Sequence, residues 1–293
     1  MSIGLLRRQK RALLELKRHP DLTPAMREGK PIYVVPLKIH CEDGEYSDGV
    51  DIFAEDIYAR LHRGELPRTS LPEGGVISDT LDQIRADGYE KVLAIMLSSG
   101  LSGTYNLVRL QAEQREDLEV AVFDSKSGAL GIGIMVLQLW EEIQAGAAWA
   151  DLVEQRAPHI IENTYPFFSV DTLEYLRRGG RIGRITAIAG TMLNIKPIIT
   201  FAQDGQLQNV AKVRGRKQVQ HKILELLREK FQAGKRYNLG VAHGGAPEEM
   251  AELAARLKAE FPNYEHCWEG AMDATLSVYI GDNVIGAGIQ FLD

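Results

Sequence analysis

Met96–Tyr105, MLSSGLSGTY, is the stretch whose reading decides the fold of this chain. Before it, Val92-Leu93-Ala94-Ile95-Met96-Leu97 is a continuous apolar run. Such a run fits a strand buried on both faces of a parallel sheet. Ser98-Ser99-Gly100 and Ser102-Gly103 break it, and Tyr105, Leu107, Val108, Leu110 and Ala112 then fall on one helix face. The pattern predicts strand, hydroxyl-rich turn, helix. Open α/β sheets bind ligands at the carboxyl ends of their strands, where this turn lies. A helix start offers free N–H groups and a positive dipole end to an anion, and Ser98, Ser99, Ser102 and Thr104 add neutral donors. A Ser-capped helix with two turn glycines explains the same residues, and they alone do not choose between the two.

Downstream, Leu118–Phe123 is a second apolar strand, ending in Asp124-Ser125-Lys126-Ser127-Gly128 before a helix through Leu139. Two successive strand–turn–helix units predict a parallel α/β layer. Residues 149–163 read as helix. After Thr164 the pattern becomes a meander: short strands at 166–170, 196–201 and 210–214, helices at 171–177, 217–232 and 247–261, and strands at 237–242, 275–280 and 285–291. The expected domains are therefore 1–165, α/β, and 166–293, α+β. Upstream, residues 32–40 read as one strand with Pro36 near an edge, 42–51 as a solvated acidic loop, 52–63 and 76–87 as helices, and 67–72 as a Pro-bounded turn. Residues 1–19 interleave five leucines with six arginines and lysines and read as a basic amphipathic helix. A membrane surface could hold such a helix. The absence of a Trp or Phe anchor favours a solvated one.

Composition excludes several classes. At 45% hydrophobic, 293 residues can bury a substantial core. A formal charge of −6 carries no nucleic-acid signature. Cys41 and Cys267 form neither a disulfide framework nor a zinc site, and they fit a reducing cytoplasm. No 18-residue apolar run or secretion signal is present in the sequence.

Seven ordered segments resemble the DegV family of bacterial fatty-acid-binding proteins: PRTSLP, MLSSGLSGTYN, FDSKSGALGIG, TLEYLRRGGRIGR, LNIKPII, KVRGRK and GVAHGGAPEE. The likeness runs from about residue 31 to the end. It implies a DegV-like two-domain α/β fold, with an N-terminal parallel-sheet α/β domain and a C-terminal α+β domain. A long-chain fatty acid would lie between them. It further implies a lipid-binding carrier rather than an enzyme. Such a carrier presents its ligand to an ATP-dependent fatty acid kinase, which makes the acyl phosphate. No metal or other cofactor is implied, and a cytoplasmic monomer with at most transient membrane contact is expected.

On this resemblance Thr69, Ser98, Ser99, Gly100, Tyr279 and Arg181 hold the carboxylate. Leu97, Ile134, Phe167, Ile185, Ile188, Met192, Leu193 and Ile198 line the acyl pocket. Arg214, Arg216 and Lys217, in a basic patch on an acidic protein, dock the kinase. Tyr279 stands where the family often has histidine, so it can donate a hydrogen bond but not a positive charge. Asp282 adds a negative charge nearby. The family's first strand and Thr-Asp-Ser turn are also altered. Ile3–Leu6 runs into a basic insert, so residues 7–19 are expected to be helical or poorly ordered rather than an ordinary strand-to-helix connection. As a lid, the insert would bring Arg7 or Arg8 to the ligand.

A fatty acid makes physical sense of neutral donors. A buried carboxylate must be hydrogen-bonded or it protonates, and a tight Arg clamp would compete with phosphorylation. At about 0.8 kcal/mol per CH₂, sixteen carbons contribute on the order of 10 kcal/mol before ordering costs. The competing classes are a phosphate- or nucleotide-handling enzyme using SSGLSGT and a membrane-surface lipid adaptor. The chain lacks both GxxxxGK[ST] and a GxSxG elbow, which weighs against the enzyme.

Overall fold

The computed structural model describes residues 11–15, 28–185 and 194–293. Arg11–Glu15 (β1) and Ile32–Val34 (β2) open a four-stranded parallel sheet ordered β2-β1-β6-β7. Lys38–Cys41 (β3), Gly44–Ser47 (β4), helix Ala54–His62 (α1) and Arg68–Ser70 (β5) follow. Next come Gly74–Ala86 (α2), Lys91–Met96 (β6), Thr104–Ala112 (α3) and Glu119–Asp124 (β7). Val92 to Met96 are fully buried. One face of β6 packs on α2 and α3, and the other on Leu130–Gln144 (α4) and on a helix at residues 149–162 (α5) that contains a π turn. The doubly covered strand is the reason its sequence is uninterruptedly apolar.

Two expectations fail here. Arg11–Glu15 is not helical: it is a central strand, with Leu13 in register with Ile32 on one side and Leu93 on the other. A five-residue segment gains ladder bonds on both edges in that position, which overrides its helical pattern. Ile3–Leu6, Arg7 and Arg8 lie outside the described residues. Residues 32–40 are not one strand either. Pro36 cannot donate to a ladder, and the chain leaves the parallel sheet at Val34 to re-enter a different one at Lys38, the antiparallel sheet β4-β3-β5.

The second half forms a six-stranded sheet ordered β10-β9-β8-β13-β11-β12. Its elements are Thr164–Ser169 (β8), Glu174–Arg178 (α6), Ile195–Phe201 (β9), Leu207–Arg214 (β10), Lys217–Lys230 (α7), Tyr237–Gly244 (β11), Pro247–Glu260 (α8), Cys267–Ala271 (β12), Ala274–Ile280 (α9) and Val284–Phe291 (β13). Helices α7 and α8 cover one face with a core of Ile223, Leu227, Leu253, Ile285 and Phe291. Helix α4 lies against the other and also touches β1 and β6, so it is sandwiched between the two large sheets. All residues from Ile132 to Leu139 are buried, as a helix enclosed on every side requires.

Residues 275–280, expected as a strand, are helical. Asp273 accepts from the Leu276 N–H at 2.7 Å. The Asp48 carboxylate accepts from the N–H groups of Ala274 and Thr275 at 3.1 and 3.2 Å and from the Thr275 hydroxyl at 2.5 Å. Two carboxylates on the first-turn donors outweigh the β-branched composition. Asp48 is therefore fully buried and not part of a solvated acidic loop. No helix among the described residues is long and apolar enough to cross a membrane.

Candidate functional site: an apolar cavity with one polar end

Glycine clears the space beneath α4. In the register of the six-stranded sheet, Gly240 stands beside Gly288 and Gly288 beside Pro166, while Ala242 stands beside Gly286 and Gly286 beside Phe168. These two rows of mostly small residues face Leu130, Gly131 and Ile134 of α4. A Cβ on Gly240 would come within 3.3 Å of Leu130 and 3.5 Å of Ile134. The gap continues past Leu97, Phe201, Met272 and Leu276, enclosing about 1020 Å³ including its open mouth.

Most of its polar side chains gather toward one end. The Thr69 hydroxyl lies 2.6 Å from the Tyr279 hydroxyl, and the Arg181 guanidinium sits over the Tyr279 ring, 5.1 Å from its centre. Thr69, Ser102, Arg181 and Tyr279 all line the cavity. Arg181 donates through Nε to the Leu101 carbonyl and through Nη1 to the Gly179 carbonyl. Asp282, which could repel an anion here, is paired with His62 at 3.0 Å.

The hydroxyl loop does a different job from the one expected. Ser98 and Ser99 do not line the cavity, and neither does Gly100. Ser98 is fully buried and donates to the Gly205 carbonyl at 2.7 Å. Ser99 donates to Asp124 through both its hydroxyl, at 2.5 Å, and its N–H, at 3.0 Å. The Gly100 N–H bonds Ser98 Oγ, those of Leu101 and Ser102 bond the Ser98 carbonyl, and that of Thr104 bonds Ser102 Oγ. With these donors satisfied by the chain itself, the loop makes no phosphate cradle, and the nucleotide-handling reading loses its basis. Gly100 is required because a Cβ there would lie 2.4 Å from the Gly205 backbone. The loop clasps the β9–β10 turn and, through Leu101, holds Arg181 at the mouth.

The DegV family model matches residues 20–291. The chain belongs to the DegV family. A DegV domain-containing protein of Clostridium perfringens is 36% identical over 270 residues, spanning 92% of this chain and 95% of its own. Among solved structures, a DegV family protein of Thermus thermophilus, described as binding fatty acid, superposes with a TM-score of 0.89 at 27% identity. It covers 96% of this chain and 99% of its own. Bacillus subtilis DegV, described as a fatty acid binding protein, gives 0.85 at 27% identity over 97% and 99%. The DegV-like α/β fold expected from the sequence is the fold observed.

In this DegV family member, Leu97 and Ile134 line the cavity, whereas Phe167 borders it but belongs to the core against α7, since Pro166 and Phe168 take the cavity-side positions on β8. Ile185 is buried beside Leu176 and Leu207, behind the wall. Ile198 faces α7 instead, because side chains alternate along β9 and Ile199 and Phe201 take the cavity-side positions. Ile188, Met192 and Leu193 lie outside the described residues. Arg214 and Lys217 are exposed, whereas Arg216 is committed to Glu249 at 2.9 Å. Sequence reasoning missed the glycine rows, although glycine inside a strand marks close approach or space. VIGAGIQF and NLGVAHGG carried that signal.

His243, next to last in the cavity strand β11, gives a pH test of its packing. Burial lowers its pKa below the ordinary 6.5, outweighing the opposing pull of Glu55 and Glu248. Its Nδ1 accepts from the Ala246 N–H at 3.1 Å. The unfolded chain therefore takes up the proton first on acidification. Stability from this site is complete above 6.5 and declines as pH falls from there toward the lower native value. The melting temperature is expected to drop further between about pH 8 and pH 5.5 for the natural protein than for His243→Gln. Equal drops would show that His243 contributes nothing.

Proposed function

We propose that the chain binds one long-chain fatty acid, with its carboxylate at Thr69, Tyr279 and Arg181 and its tail along the glycine-floored cavity beneath α4. The observation that carries this reading is the asymmetry of the cavity: largely apolar along its length, with its one guanidinium and the paired Thr69 and Tyr279 hydroxyls together at one end. The fatty-acid binding described for the Thermus and Bacillus relatives supports it. One of the two hydroxyls donates to the other, which leaves one O–H for a carboxylate and frees the second when the ligand replaces that bond, and Arg181 supplies the positive charge that a tyrosine in the histidine position lacks. Ser98, Ser99 and Gly100 act one step back, fixing the loop that places Arg181.

Delipidated protein is expected to bind palmitate tightly and octanoate not measurably, since eight methylenes are worth roughly 6 kcal/mol. Hexadecanol should bind more weakly than palmitate. Equal affinity for palmitate and octanoate would exclude the reading. Thr69→Val and Arg181→Gln are each expected to weaken palmitate binding about tenfold or more, the scale of one hydrogen bond to a charged group. Unchanged affinity in both would move the carboxylate elsewhere.

The chain itself is read as a non-catalytic, monomeric carrier that hands its bound acid to an ATP-dependent fatty acid kinase. Complementary charge chiefly accelerates encounter. Reversing Arg214 and Lys217 is therefore expected to slow acyl-phosphate formation by a bacterial fatty acid kinase at low salt, with palmitate affinity unchanged. Arg216 is unsuitable for this test because it holds Glu249. Unchanged kinetics would remove the basic patch from the docking surface.

A further inference from the structure

Toward the end of the cavity away from Tyr279 lies a buried belt of polar side chains, of which Thr164 reaches the cavity wall. Thr164 lines the cavity there, two residues beyond the Gly240–Gly288–Pro166 row and on the same face of the sheet. Asn238 and Gln290 continue its row across the sheet, and Gln138 of α4 meets them from above. Asn238 Nδ2 donates to Gln138 Oε1 at 2.8 Å and to Gln290 Oε1 at 3.0 Å. Gln290 Nε2 donates to Thr164 Oγ1 at 3.1 Å, and Thr164 donates to the Ile160 carbonyl at 2.6 Å. Asn238 Oδ1 accepts from the His266 N–H, and Gln138 Nε2 donates to Glu142. Asn238 and Gln290 are fully buried, Gln138 is 5% exposed and Thr164 8%.

We propose that this Thr164–Gln290–Asn238–Gln138 belt is the stop that sets the longest acyl chain the cavity accepts. The inference rests on the fatty-acid reading above and names a length selectivity within it. Leu130, Ile134 and Gln138 fall at i, i+4 and i+8 on α4, so the tail runs along two apolar turns and meets an amide on the third. Every amide nitrogen and oxygen of the belt has at least one partner within the protein. A hydrogen-bonded cluster also resists being parted, because each separated group would be left buried and unsatisfied. An apolar end of the same size could repack around a longer tail, whereas the belt cannot without breaking bonds.

The test measures displacement of a fluorescent fatty acid from delipidated full-length protein by saturated acids of increasing length. In the natural protein, affinity is expected to rise about fourfold per methylene up to a limiting length and then to fall. Gln138→Ala keeps the Asn238–Gln290 bond and opens about one helical turn of depth, so the limit is expected to move about two to four carbons longer. Ile134→Phe should move it shorter. If Gln138→Ala fails to fold, Thr164→Ser decides the question: it keeps the hydroxyl bonds and removes only a methyl, and should extend the limit by a smaller step. A limit unmoved in a folded Gln138→Ala or Thr164→Ser protein overturns the proposal. So does natural protein that binds palmitate but shows no limit, and in that case the fatty-acid reading stands. Natural protein that binds no acid of any length overturns both.

Discussion

Gly240→Leu is expected to reduce palmitate affinity by at least a hundredfold while leaving the melting temperature unchanged or raised. The added Cβ meets Leu130 and Ile134 at 3.3 and 3.5 Å, a contact those side chains can relieve by small shifts. The rest of the leucine projects into the cavity between α4 and the sheet. Filling apolar space with an apolar side chain costs little in the fold, or stabilises it. The tail, however, loses its path beyond the first half of the cavity, and eight methylenes amount to roughly 6 kcal/mol. Thr69, Tyr279 and Arg181 lie at the other end and remain in place, so the loss reports on the tail alone. Gly240→Ala, which adds only the Cβ, should cost a few-fold. Palmitate affinity unchanged in a folded Gly240→Leu protein would show that the ligand does not run along this strand.

Asp48→Ala is expected to lower the melting temperature by about 5 °C and to impair acid binding together with it. Asp48 accepts three hydrogen bonds from Ala274 and Thr275. Removing a buried carboxylate that accepts such bonds costs about 3 kcal/mol, largely because the donors are left unsatisfied. The consequence for function follows from what Asp48 joins. The small sheet and α1 pack on α9 through Ile39, Ile52, Ile57, Leu61, Ala274 and Val278. That packing brings Thr69, from β5, to the hydroxyl of Tyr279, on α9. Loosening it separates the two hydroxyls proposed to hold the carboxylate. Asp48→Asn keeps an acceptor oxygen and should fall between the two. A melting temperature within about 2 °C of the natural protein for Asp48→Ala would show that the carboxylate does not hold α9 in place.

What was legible in the sequence followed from local pattern. The run before Ser98 is apolar because β6 is covered on both faces, and the hydroxyl turn does sit at its carboxyl end. The loop's partners were not legible. Ser98 bonds Gly205, 107 residues away, and Ser99 bonds Asp124, 25 residues away, so hydroxyls that looked free for a ligand are consumed by the fold. Tertiary context also decided the two misread segments. Arg11–Glu15 carries helix-forming residues but gains two strand neighbours. Residues 275–280 carry strand-forming residues but start beneath two carboxylates, one of them from Asp48. Ile198 was misassigned for a simpler reason: one step along a strand reverses the face. Thr69, Arg181 and Tyr279 were singled out through the family resemblance, and that they meet at one spot needed the fold. Cavity-forming glycines are hard to read because what matters is the side chain they lack.

The most direct measurement of the central claim is mass spectrometry of the protein purified from a bacterial host, first intact under native conditions and then after solvent extraction. The intact protein is expected to carry one added mass per chain, released on extraction as a C14–C18 fatty acid and absent from Gly240→Leu. Natural protein with no such mass, and none after incubation with palmitate, would contradict the account, as would a Gly240→Leu protein carrying the same acid at the same occupancy.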